Sequence, residues 1–303
     1  MNIESLSLDQ LRVILCVVEE GSFSAAARHF RRTQSAVSYS VAQAEAQLGV
    51  VLFDRSGRTP DLTAAGKALV GDIRTIVARV DGLRARARAV SEGVEPEITL
   101  VVDAICCPES LSELMRDFNQ RFPATAVRLH IETLGMVVEK VLRSRCALGV
   151  IATMVDLPDG LTRYAMPPVR MHAVAAAGHP LAASAPKGAA ESLQSAIQIV
   201  LSDRSSRTLG RDYAVYSPST WRVDDLATKR ALIRAGVGWG SLPDWMIEDE
   251  VGNGILAVLT DLGFPDPDDM PTQVFHDTGH LPGPGMGWLI DELRRRGLGR
   301  VAF

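Results

Sequence analysis

The stretch Ser22–Gly66, SFSAAARHF RRT QSAVSYSVAQAEAQL GVVLFDRSGRTPDLTAAG, decides how the chain begins. Its first part predicts a short helix from about Ser24 to Phe30, with Ala26, Ala27 and Phe30 facing inward. A tight turn, Arg31-Arg32-Thr33, follows. Thr33 is placed to cap the next helix, because a hydroxyl there accepts from free backbone N–H groups. In that helix Val37, Val41, Ala44 and Leu48 recur at spacings of four, three and four, one apolar stripe at the helical period. The other face carries Ser35, Ser38, Tyr39, Ala42 and Ala46, where a solvated helix ordinarily carries Lys and Glu. Short hydrogen-bonding groups beside Gln34 suit a helix that lies against base edges in a major groove. Beyond it, LFDR, SGRTPD and LT predict two short strands around a glycine turn, with Arg55 and Arg58 near the tip. Arginines there are placed to bind phosphates or enter a minor groove. The candidate DNA contacts are therefore Arg31, Arg32, Thr33, Gln34, Ser35, Ser38, Tyr39, Arg55 and Arg58.

On the N-terminal side, Leu8, Leu11, Leu15 and Val18 form a helical stripe that completes a three-helix core, and Gly21 ends that helix as a cap residue. On the other side a long helix is predicted from about Thr63 to Ser91. Leu69, Ile73, Ile76, Val80, Leu83, Ala87 and Val90 recur at alternating spacings of four and three, a 3.5-residue repeat kept for three heptads. So narrow a seam favours a partner helix over docking on its own domain, so these seven residues are the candidate dimerisation seam.

Gly93 and Pro96 in SEGVEPE break that helix. From Ile98 strands alternate with helices: ITLVVD, a helix over Pro108–Phe122, VRLHIET, a helix over Met136–Ser144, and ALGVIA. A second set follows: VRMHAVAAA, IQIVLS, a helix over Asp224–Ala235, GWGSLP and ILAVL. Alternation of this kind argues for parallel sheets covered by helices, and its length argues for two lobes.

Residues 1–92 hold 12 Lys+Arg against 10 Asp+Glu, and the rest 20 against 26, a mildly basic head on an acidic body. Four cysteines without C-x-x-C spacing read as reduced thiols. The start, MNIESLSLDQ, lacks a signal-peptide pattern, and no run approaches the ~20 apolar residues of a bilayer span, so a cytoplasmic protein without membrane contact is expected.

The N-terminal segment resembles the winged helix-turn-helix of LysR-type transcriptional regulators. That family shares a leading helix, then the motifs here read as Ser22–Ala27, Gln34–Ser38, Leu48–Arg55 and Leu62–Gly66. Two positions depart from its pattern: Tyr39 stands where Arg is frequent, and Ala64 where Glu is common. The resemblance implies an α/β chain of three parts. These are a winged helix-turn-helix over residues 1–62, a linker and dimerisation helix over 63–92, and a two-lobed effector domain of periplasmic-binding-protein-like (type 2) fold over 93–303. Lobe I would be about 94–165 plus 268–303 and lobe II about 166–267, with Pro265–Pro271 as a return crossover. It also implies a homodimer or homotetramer on double-stranded promoter DNA, responding to a small-molecule effector.

In open α/β sheets small molecules bind beyond the carboxyl ends of strands. That rule selects Asp103, Cys106, Cys107, Ser110, Leu134, Gly135, Thr153, Ser202, Asp203, Arg204, Trp221, Arg222 and Ser241. Arg204 and Arg222 could grip a carboxylate, Trp221 could stack on a ring, and Asp103 or Asp203 could meet an amine. Adjacent Cys106 and Cys107 read as small lining residues rather than a redox pair, since nothing nearby lowers a thiol pKa. His276 and His280 read as loop groups, so neither a metal nor a cofactor is expected. No nucleophile or paired-carboxylate constellation stands out, and an enzyme using such a cleft is the alternative to a regulator. A transport binding protein is third, against the missing signal peptide.

Overall fold

A computed structural model describes residues 6–56, 59–144, 147–152, 157–183, 195–202, 205–207, 213–260 and 268–299. The chain divides into two compact units, Met1–Arg88 and Ala89–Phe303.

In the first unit α1 (Leu8–Glu20), α2 (Phe23–His29) and α3 (Gln34–Leu48) pack around Val13, Ile14, Ala26, Val37 and Val41, all inaccessible to water. Each helix starts on a hydroxyl: Ser7, Ser22 and Thr33 accept from Gln10 N, Ala25 N and Ala36 N. Gly21 and Gly49 end α1 and α3 in the left-handed conformation, which only glycine adopts without cost. The wing is β1 (Phe53–Asp54) paired antiparallel with β2 (Asp61–Leu62). Glu45 near the end of α3 fastens it, accepting from Leu52 N at 2.7 Å and Phe53 N at 3.1 Å. The long helix α4 (Ala64–Ser91) is joined to the wing by Thr63, whose hydroxyl donates to Val51 O and accepts from Gly66 N.

The second unit runs β3 (Glu97–Asp103), α5 (Pro108–Arg121), β4 (Ala126–Glu132), α6 (Gly135–Arg143), β5 (Ala147–Ala152), β6 (Leu161–Ala176), α7 (Pro180–Ala183), β7 (Gln198–Leu201), β8 (Thr220–Val223), α8 (Leu226–Arg234), β9 (Trp239–Pro243), α9 (Asp244–Gly252), β10 (Leu256–Val258), β11 (Asp268–Asp277) and α10 (Pro284–Arg296). Its strands form one path, β4-β3-β5-β11-β6-β9-β7-β8, with β10 also on β6. The two ends of that path are parallel, as the alternation predicts: β3 with β4 and β5, β7 with β8 and β9.

The middle differs from expectation. β6 is sixteen residues long, beginning well before the Val169 start read from the sequence, and pairs antiparallel with β11 and then with β9 and β10. The expected crossover Pro265–Pro271 is a strand from Asp268 onward, its first residues lying outside the described ones. Prolines hide these strands, because a residue without an N–H reads as a strand end. Here they fall together. The register shifts between Met270 and Thr272, so that Pro271 stands against Pro167 and Pro168, and Thr272 Oγ1 donates to Pro167 O at 2.8 Å.

One carboxylate closes the fold at its C-terminal helix. Glu95, from the segment read as a helix break, is buried and accepts from Gly285 N at 2.9 Å and Met286 N at 3.1 Å at the start of α10. Among the described residues, no helix is long and apolar enough to cross a membrane.

Candidate functional site

Two regions gather the chemistry, one in each unit. On α3 the residues between the inward stripes form an exposed, uncharged face: Gln34, Ser35, Tyr39 and Ala42 are exposed, Tyr39 to 65%. Two of its polar groups are held by neighbouring side chains. Gln34 Oε1 accepts from Ser24 Oγ at 2.9 Å, and Tyr39 OH accepts from Gln43 Nε2 at 3.0 Å. Thr33 is both helix cap and partner of Ser35, their hydroxyls 3.0 Å apart.

The expected cations divide. Arg31 is exposed with φ at 53°. Arg32 is turned to Asp9, giving bonds of 2.7 and 3.0 Å that hold the Asp9 carboxyl below its usual range. Arg55 stacks over the Phe23 ring and donates to Ser38 Oγ at 3.0 Å and to Glu45 at 3.1 Å. It therefore ties the wing to α3 and occupies the hydroxyl read as a base contact. Arg58 lies outside the described residues.

The expected seam on α4 is corrected at its start. Ile73 is buried in its own unit and Leu69 packs beside it, because the first turns of α4 lie against α1, with Arg12 bonded to Asp81 and Arg74 near Glu19. Further along, Ile76, Leu83 and Val90 are exposed at 46%, 61% and 56%. Val80 is half-buried and Ala87 exposed. The apolar face left without cover begins at Ile76.

In the second unit a cleft opens where the ends of β3 and β5 meet the neighbourhood of β7, β9 and α8, leaving about 90 Å³ open to the centres of water-sized molecules. Its walls include Asp103, Leu134 and Ser241, three of the expected residues. Leu134 has φ 47°, a strained backbone for a branched side chain, beside the chamber. Two contacts draw the halves of the sheet together beside it. Trp245 Nε1 donates to Ile105 O at 2.8 Å. Glu139 on α6 accepts from Ser205 Oγ, Ser206 N and Ser206 Oγ at 2.8–2.9 Å. The hydroxyls of Ser205 and then Ser206 hold the Glu139 carboxyl below the usual carboxylate range.

Other expected residues do not line the chamber. Trp221 and Arg222 are exposed on β8, the edge strand, with Arg222 donating to Thr220 Oγ1. Cys106 belongs to the core beneath, where burial pushes its thiol well up. Cys107 precedes α5, its thiol on Glu109 and its N–H on Leu298 O, and Ser110 Oγ donates to Gly299 O at 2.6 Å. Gly135 starts α6, and Ser202 N donates to Val223 O at 2.8 Å. Thr153, Asp203 and Arg204 lie outside the described residues. The residue that sequence reasoning missed is Lys229 on α8, which lines the chamber. The signal was present, since Leu226, Lys229 and Ile233 stand three and four apart, a lysine inside an apolar stripe. Burial pulls its ammonium pKa down to about 8.

A winged helix-turn-helix joined to an α/β body with an internal chamber defines a ligand-responsive DNA-binding protein. Residues 8–67 match the family described as bacterial regulatory helix-turn-helix protein, lysR family, and residues 91–297 match the LysR substrate binding domain. The chain is 29% identical to the HTH-type transcriptional regulator AceR of Acinetobacter baumannii over 261 residues, 84% of this chain and 85% of that one. It is 32% identical to the HTH-type transcriptional activator AllS of Salmonella paratyphi A over 257 residues, 83% of each. A cysteine mutant of OxyR from Corynebacterium glutamicum shares the fold, with TM-score 0.55 at 18% identity over 97% of this chain and 94% of that one. The chain belongs to the LysR family and is a LysR-type transcriptional regulator with an effector-binding domain.

Proposed function

We propose that this regulator reads a dyad-symmetric site in double-stranded promoter DNA as a homodimer or a tetramer of two dimers. Gln34, Ser35 and Tyr39 of α3 meet base edges, while Arg31 and the wing carry phosphate contacts. The run Ile76, Val80, Leu83, Ala87 and Val90 along α4 pairs two chains. The cleft bounded by Asp103, Leu134, Lys229 and Ser241 is the effector site, and occupancy shifts the population between two arrangements of the assembly. The protein acts in the cytoplasm and performs no catalysis of its own. The observation carrying this reading is the uncharged, exposed face of α3 beside a wing that Glu45 and Arg55 fasten to it.

A footprint on the DNA upstream of the chain's own gene, at two salt concentrations, tests it. A protected site with two-fold symmetry, weakening steeply with salt, is expected. A folded protein that protects nothing at either concentration would overturn the reading.

A further inference from the structure

Lys229 is one of four lysines in the chain and is buried to 7% exposure. Its stem crosses β9 at Gly240, where an added Cβ would stand 3.1 Å from Lys229 Cε, so the missing side chain at Gly240 makes the path. The ammonium faces the chamber and, among the described residues, has neither a hydrogen-bond acceptor nor a carboxylate partner. A charge withdrawn from water without a counter-charge is costly, and the cost is met when a second molecule brings the anion.

The surroundings narrow what that molecule is. Ser241 on β9 shares the chamber, and its hydroxyl has no partner among the described residues. Gln198 also lines it, but its amide is engaged: Nε2 donates to Ala214 O, and Oε1 accepts from Tyr216 N and Ser217 N. Ile105, Leu134, Met171 and Met270 make much of the remaining wall apolar.

We propose that the effector is a small monocarboxylate with an apolar body, its carboxylate held by Lys229 and by the hydroxyl of Ser241. The proposal rests on the reading of the cleft as the effector site. Among the described residues of the wall Lys229 is the one Lys or Arg, and it answers one negative charge. A phosphate dianion or a dicarboxylate would carry a second charge into an apolar chamber that already contains Asp103.

Full-length protein labelled with carbon-13 at lysine Cε gives four resonances to watch, and Lys229→Met identifies the relevant one. The probes are isobutyrate and phenylacetate, each compared with its amide, which keeps the shape and removes the charge. At least one carboxylate is expected to move the Lys229 resonance saturably and raise the melting temperature, with its amide doing neither. Binding to Lys229→Met, folded by circular dichroism, should be roughly tenfold to a hundredfold weaker. The proposal is overturned if neither carboxylate moves the resonance, if the amides bind equally, or if Lys229→Met binds as tightly. A carboxylate seated on Lys229 without an operator footprint would sink the regulator reading and leave this assignment standing. A footprint with Lys229 unmoved would do the reverse.

Discussion

Lys229 and Gln34 show how single residues carry opposite demands in this chain. A fall in the Lys229 pKa from 10.5 to about 8 corresponds to about 3 kcal/mol of lost stability at pH 7. Below pH 8 the folded protein holds the proton at that full cost. Between pH 8 and 10.5 the unfolded chain binds the proton and the folded one sheds it, so this contribution makes stability rise with pH. Lys229→Met is therefore expected to be more stable at pH 7 by up to about 3 kcal/mol, with the gap narrowing toward pH 10.5. Urea titrations across that range check it. Asp103, Tyr213 and Tyr216 share the chamber and are common to both proteins, so a constant gap would refute the assignment. Gln34→Ala removes a side chain that Ser24 holds at the start of α3. It should cost about 1–3 kcal/mol of discrimination between operator and random DNA, with the salt slope unchanged. Equal losses on both DNAs would move Gln34 to a structural role.

At the scale of elements, Glu95→Ala leaves two buried N–H groups at the start of α10 without acceptors and should cost about 2–3 kcal/mol, read from the urea midpoint. A loss below about 0.5 kcal/mol, the level of ordinary surface changes, would mean that α10 is held by apolar packing alone. Leu83→Glu places a charge in the exposed run of α4. Light scattering should show the assembly breaking toward monomers, and an unchanged mass would move the dimer interface elsewhere. The sequence made α1, α3 and α4 legible because their apolar periods are clear and Gly21, Thr33 and Gly93 mark ends of them. It misled where local pattern does not report neighbours. The heptads on α4 cannot say that α1 covers Ile73. The strand-end rule selects Trp221 and Arg222 without knowing that β8 is at the sheet's edge. β6 and β11 were hidden because their prolines imitate strand ends.

For the whole molecule, affinity for DNA is expected to depend on pairing more than on charge. Residues 1–92 have only a small excess of basic side chains, and Arg32 and Arg55 are already engaged within the protein. Binding to a half-site should therefore be weak, and binding to the full dyad should strengthen far more than additively, as gel-shift titrations on the two DNAs would show. Half-site and full-site affinities within a factor of two would contradict this.

The pair β6 and β11 has one last consequence. Both halves of the effector domain hang on these two antiparallel strands, joined where Pro271 meets Pro167 and Pro168 and the ladder loses its regular bonds. A ribbon of two strands resists sliding along its length and yields most easily to flexing at that weakened rung. Flexing at that rung is expected to widen or narrow the chamber, whose walls come from both sides of it.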